Sequence, residues 1–122
     1  MNREAALSAA QRIAHDKLGT VVRLALHPNE PRHIQAYVDY AEALADRNAD
    51  AWRILERTLL TLLASANDPL LPFAWRVSCC DLAYRPYRAL HRMPAWLQRP
   101  DRLRRLGHRL ATVKLFEANR QA

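Results

Sequence analysis

Eight arginines fall between positions 85 and 109, at 85, 88, 92, 99, 102, 104, 105 and 109, against one acid in that interval, Asp101. A guanidinium is a planar fork of five donors that keeps its charge, so such a cluster is chemistry for phosphate or carboxylate. The formal charge of the chain is +7, and it is unevenly spread. Residues 1–61 hold 8 basic and 8 acidic side chains, whereas residues 62–122 hold 11 against 4. Arginine outnumbers lysine 17 to 2, as GC-rich coding would produce, but coding bias cannot leave one half neutral and load the other. The segregation is the electrostatic footprint of a polyanion binder. Arg85, Arg88 and Arg92 recur at helical spacing, and so do Arg102, Arg105 and Arg109. With Arg99 between them, these seven are the candidate nucleic-acid-binding residues. The two helical sets are expected to form one continuous surface, with Arg23 and Arg53, in the neutral half, mattering little.

The five histidines are the next groups with reactive chemistry. His91 and His108 each follow an arginine by six residues, as Arg85-x5-His91 and Arg102-x5-His108. This spacing on a helix resembles the active-site motif of HEPN-type ribonucleases, small helical bundles in which the arginine and histidine meet, often across a dimer. The resemblance implies metal-independent RNA cleavage by these residues. It covers only these positions and the helical class, and Pro86 and Leu103 stand where the family carries a polar residue after its arginine. At this arginine content, roughly two of the histidines acquire such a partner by spacing alone. His15, beside Asp16 and off the apolar stripe of its helix, is expected to be exposed. His27 precedes Pro28 at a helix end, where a cation suits the dipole. His33 falls in the first turn of the next helix and suggests no special role.

Other catalytic patterns are missing. There is no glycine-rich phosphate loop, G-x-S-x-G, H-E-x-x-H or EF-hand pattern, and only two glycines to build one. Asp39 and Glu42 form an i, i+3 pair without a histidine and read as solvated surface. Cys79 and Cys80 are adjacent, so a bond between them would be strained, and no second pair exists for a zinc site. They read as small buried hydrophobes in a reducing compartment. No catalytic residue, metal or cofactor is expected. Of the aromatics, Trp52, Phe73 and Phe116 read as core, and Tyr84 and Tyr87 as packing beside Arg85 and Arg88. Trp96, in a connector between Pro94 and Pro100, is the aromatic expected to be exposed at an interface.

The elements that position these groups follow from composition. A chain of 122 residues, half of them hydrophobic and a quarter charged, is a single globular domain over residues 1–122, not a disordered one. No apolar run approaches the roughly 20 residues of a membrane span. The opening Met-Asn-Arg-Glu has no apolar stretch behind it to make a secretory signal, so a cytoplasmic protein is expected. Abundant alanine and leucine favour helix, and the seven prolines divide the chain into helical windows. The first runs from Arg3 to His27, with Leu7, Ala10, Ala14, Leu18, Val21 and Ala25 on one stripe and Gly19 inside it. The second follows Pro31, capped by Asn29 or Glu30, and ends at Asp46. The third spans Ala49 to Ala66, capped by Asn48. The fourth, Pro72 to Met93, is expected to break or kink at Pro86. Its main stripe is Phe73, Val77, Cys80, Tyr84, Tyr87 and His91, Trp75, Cys79 and Leu82 cover much of another side, and Asp81 can pair with Arg85. The last runs from Asp101 to near Asn119, burying Leu103, Leu106, Leu110 and Val113. The expected fold is all-α: a compact bundle of about five amphipathic helices.

Three functions fit this reading. The first is a non-catalytic nucleic-acid-binding protein, or a small helical subunit of a nucleoprotein complex, that contacts phosphates of DNA or RNA through a C-terminal arginine-rich face. The second is a protein-interaction module (adaptor, inhibitor or immunity-type protein) whose basic face meets an acidic protein. The third is the HEPN-like ribonuclease.

Overall fold

A computed structural model describes residues 7–46 and 49–115. They form five α-helices, α1 Ala9–Arg23, α2 Arg32–Ala45, α3 Ala51–Ala66, α4 Phe73–His91 and α5 Pro100–Ala111, with a short 3-10 turn at Ala95–Leu97. The described residues contain no strand. The all-α bundle follows from the alanine- and leucine-rich windows between prolines, as expected.

α3 is the centre. Its buried residues include Trp52, Leu55, Leu59, Leu62, Leu63 and Ala66. α4 makes the most extensive contact with it, α1 and α2 cover other sides, and α5 docks on α4. Val22, Ile34, Tyr37, Val38, Trp75, Cys79, Ala83, Leu90, Leu103, Leu106 and Leu110 complete the main core.

α1 begins with a reciprocal cap, in which the Ser8 hydroxyl accepts from the Gln11 amide and the Gln11 side chain accepts from the Ser8 amide. It passes through Gly19 without a break, where a Cβ would sit 3.2 Å from the Tyr37 hydroxyl. It stops at Arg23, short of the expected His27. Ala25 adopts a left-handed φ of 47°, and the amides of Ala25 and Leu26 turn back to the carbonyls of Val22 and Val21. This is the Schellman turn, with alanine where glycine is usual. The Trp75 indole donates to the same Val22 carbonyl at 2.9 Å, so a buried contact from α4 helps fix the stop. Neither Asn29 nor Glu30 caps α2, whose N-terminal flank is Pro31. Arg3 and Asn48 lie outside the described residues.

The facing of α4 differs from the expected stripe. Its buried residues are Trp75, Arg76, Cys79, Ala83, Pro86 and Leu90, while Phe73 and Tyr84 are exposed. The two candidate stripes are both apolar, and α3 takes the one that carries the large Trp75. Pro86 does not end the helix. Arg76 is buried, with Nε donating to the Ala66 carbonyl at 2.9 Å and a terminal nitrogen to the Lys114 carbonyl at 2.8 Å. It satisfies a carbonyl at the end of α3 and ties down the segment after α5. That segment is not helical: α5 ends at Ala111, Val113 is half-buried, and Phe116 and Asn119 lie outside the described residues.

His15 is buried at 4% exposure, contrary to expectation. Its Nε2 lies 2.9 Å from the Thr58 hydroxyl of α3, and its ring stacks on Tyr37 of α2 with centroids 5.0 Å apart. Helix spacing marks it as off the stripe, but a hydroxyl on α3 makes it acceptable inside. Burial pushes its pKa below the ordinary value, against an opposing pull from Asp16.

Two outcomes test this packing. Leu59 is fully buried, so Leu59→Ala costs about 2–5 kcal/mol in denaturant unfolding; a loss below about 0.5 kcal/mol, the surface range, contradicts the facing of α3. His15 binds its proton less tightly folded than unfolded, so its contribution is complete above about pH 6.5. Stability falls as the pH drops from there toward the lowered folded value, by at most about 1.4 kcal/mol per pH unit. His15→Gln removes this part of the profile, and an unchanged pH slope in that variant contradicts the assignment.

Candidate nucleic-acid interface

One stripe of α3 is left outside the bundle. Arg53, Glu56, Arg57, Leu60, Thr61 and Ala64 follow the helical repeat and line a groove whose sides are Arg23 of α1 and Arg102 of α5. The stripe is polar at its N-terminal half and small or apolar toward its C-terminal half.

α5 is placed beside this stripe by two devices. The Gln98 side-chain amide reaches the carbonyls of Leu90, His91 and Met93 at 2.9–3.1 Å, closing the end of α4 and reversing the chain. Gly107 then lets α5 press against α4: a Cβ there would lie 2.5 Å from the Tyr87 hydroxyl oxygen and 3.2 Å from Cζ. At about 100° per residue, Arg102, Arg105 and Arg109 share a roughly 60° arc on the side of α5 away from Gly107. They therefore look toward α3, not α4. Arg102 donates to both oxygens of Glu56, a side chain only 12% exposed. Glu56, Leu60, Arg102, Arg105, Leu106 and Arg109 line one stretch of the resulting surface.

At the other end, Trp52, Arg53, Glu56, Trp96, Arg99 and Arg102 border a second hollow. Trp96 is 69% exposed, as its place between prolines suggests. The buried Trp52 indole N–H has no acceptor among the described residues. Together the three stretches carry seven arginines (23, 53, 57, 99, 102, 105 and 109) and two acids, Asp50 and Glu56. Arg23 pairs with Asp68 and Arg57 with Asp16. The side chains of Arg53, Arg99, Arg105 and Arg109 form no ion pair among the described residues.

The arginines of α4 lie elsewhere. Arg85 pairs with Asp39 and Glu42 of α2, not with Asp81. The supposed solvated carboxylates are thus its partners. Arg92 borders the same α2–α4 groove, where Asp39, Glu42 and Asp46 outnumber the two arginines. Arg88 is exposed on the outer side of α4. The seven sequence candidates divide into Arg99, Arg102, Arg105 and Arg109 on the basic face, and Arg85, Arg88 and Arg92 away from it. Arg23, Arg53 and Arg57 join the face although they lie in the neutral half of the chain. Their signal is the uncovered α3 stripe, which emerges only once the covered sides of α3 are known.

The two arginine–histidine pairs of the sequence do not come together. Positions six apart on a helix diverge by about 120°. Arg85 and His91 therefore point apart, as do Arg102 and His108, and both arginines are held by carboxylates. His91 instead meets Tyr87 edge-on at 4.7 Å. Cys79 is buried and Cys80 half-buried, both unbridged. Burial pushes the Cys79 thiol up to about 12 and raises that of Cys80. No helix of the described residues is long and apolar enough to cross a membrane. No protein-family model, curated protein or solved structure matches the chain.

The docking of α5 is tested at Gly107. Alanine favours a helix by about 1 kcal/mol over glycine, yet Gly107→Ala lowers the thermal unfolding midpoint, because Tyr87 blocks the new methyl. Adding Tyr87→Phe removes the nearest atom and recovers part of the loss. A higher midpoint for Gly107→Ala alone shows that the contact does not set the position of α5.

Proposed function

We propose that this protein is a non-catalytic nucleic-acid binder that holds the phosphate backbone on the face formed by α3, α5 and Trp96. The observation that carries this reading is the concentration of seven arginines on adjoining grooves, of which only Arg23, Arg57 and Arg102 are ion-paired among the described residues. Four of those arginines form no ion pair among the described residues, so they can form charge-assisted, bidentate contacts with phosphate oxygens. The exposed Trp96 lies at one end of the face and offers a stacking platform to an unpaired base. Phosphate contacts position a strand and carry little sequence information, so binding is expected to be largely sequence-independent. The contribution of a strand along this face is mainly the release of its counterions.

Titration of single-stranded and duplex DNA and RNA by fluorescence anisotropy tests the proposal. Affinity for duplex DNA falls with salt by a log–log slope of about −0.9 for each phosphate neutralised. Arg105→Glu with Arg109→Glu weakens binding to all sequences alike and flattens the slope by about one unit per lost contact. Arg88→Glu with Arg92→Glu, off the face, has little effect. Trp96→Ala weakens single-strand binding by about 1–3 kcal/mol, the value of a stacked base, and spares duplexes. No binding by the wild-type protein near 50 mM salt, where phosphate-driven binding is strong, defeats the proposal, and the basic face then belongs to an acidic protein partner.

A further inference from the structure

The connection between α1 and α2 holds a cluster unrelated to the arginine face. His27, Glu30 and His33 are spaced three apart, and successive turns stack them. The Glu30 amide donates to the His27 carbonyl at 3.0 Å and the His33 amide to the Glu30 carbonyl at 3.2 Å. The two imidazoles lie face to face with centroids 4.6 Å apart. Both turn a nitrogen to the same carboxylate oxygen: Glu30 Oε2 is 3.7 Å from His27 Nδ1 and 3.4 Å from His33 Nε2. The other oxygen, Oε1, is held by Arg32 at 2.8 Å. One donor atom from each of the three side chains lies within 4.8 Å of the other two.

We infer that His27, Glu30 and His33 form a binding site for a divalent transition ion of the zinc class. Two imidazoles and one carboxylate are a donor set that suits zinc and its neighbours, and not magnesium or calcium, which take oxygen cages. Ligand atoms about 2.0 Å from a tetrahedral zinc stand about 3.3 Å from one another; the two nitrogen–oxygen distances are close to this, and the stacked rings, whose donor atoms lie within 4.8 Å of each other, turn inward to bring both nitrogens onto the ion. A carboxylate oxygen facing two nitrogens is an arrangement in which a cation satisfies all three atoms at once. Arg32 occupies Oε1, as an outer partner does for a ligating carboxylate, and Oε2, hydrogen-bonded to His33 Nε2 at 3.4 Å, is the oxygen the ion would take. Three protein ligands leave the fourth tetrahedral position for water or for a group from outside the chain. The ion joins the end of the α1–α2 connection to the first turn of α2.

Isothermal titration of the full chain with Zn²⁺ at about pH 7.5, where imidazole is mostly neutral, tests the site. One equivalent binds, and the thermal unfolding midpoint rises with free Zn²⁺ by mass action. Co²⁺ at the same site gives the visible absorption of a four-coordinate ion. His27→Ala, Glu30→Gln and His33→Ala each weaken Zn²⁺ binding at least about tenfold. All three side chains are at least partly exposed, so the variants fold, which their circular dichroism verifies. Magnesium produces neither effect. The inference is overturned if wild-type protein takes up no stoichiometric Zn²⁺. It is equally overturned if the three variants bind as tightly as wild type, which would place the ion at other histidines or at the cysteines.

Discussion

Ten of the sixteen residues of α3 are buried, and the helices that cover them leave a single stripe in contact with water. A helix in this position fixes much of what surrounds it. Apolar residues on three sides demand three neighbours, which α1, α2 and α4 supply. The uncovered side must be soluble, and Arg53, Glu56 and Arg57 make it so. Once α5 lies on α4 and reaches Glu56 through Arg102, the uncovered stripe becomes the floor of a groove and the arginines of α5 its rim. The basic face is a consequence of how the core closes.

Buried polar groups lock this arrangement where apolar packing alone would tolerate sliding. Arg76 is 2% exposed, and an uncompensated charge at such depth would cost several kcal/mol. Carbonyls at the end of α3 and just beyond α5 receive its donors. Lys114 adds a backbone amide on the Asn67 side chain at 2.9 Å, so the same two segments are joined twice. His15 does the equivalent work between α1 and α3 through Thr58, whose own hydroxyl donates to the Ile54 carbonyl at 2.8 Å. Each of these contacts fixes a register, because a shift by one residue would leave a buried donor or acceptor without its partner.

The number, type and approximate limits of the helices were legible because prolines and apolar periodicity act locally. The facing of α4 was not. Phe73, Val77 and Tyr84 repeat as regularly as Trp75, Cys79 and Ala83, and only the shape of α3 decides between them. The burial of His15 and Arg76 was also invisible, since the groups that satisfy them come from distant parts of the chain. Arg85 illustrates the same limit for the site. Asp81 is its neighbour at helical spacing, yet Asp39 and Glu42, more than forty positions away, capture it. The charge count placed the excess in residues 62–122, yet Arg23, Arg53 and Arg57 of the neutral half join the face. Leu103, Leu106 and Leu110 set the rotation of α5, but the count could not tell which helix would lie along its arginine flank, because Glu56 of α3 comes from a distant part of the chain.

That rotation also sorts the arginines by what they can still do. A guanidinium already bound to a carboxylate must give up that partner, or share it, before it can hold a phosphate. Arg85, with two acids, is therefore a bond between α2 and α4 and contributes little outward field. Arg102 is intermediate: Glu56 neutralises it, but the pair also fixes α5 against α3 and orders the surface on which Arg105 and Arg109 stand. Surface pairs of this sort add little to stability on their own, and their value here is positional. Arg53, Arg99, Arg105 and Arg109 form no ion pair among the described residues, and they border the same hollows as the paired Arg102 instead of clustering on one turn.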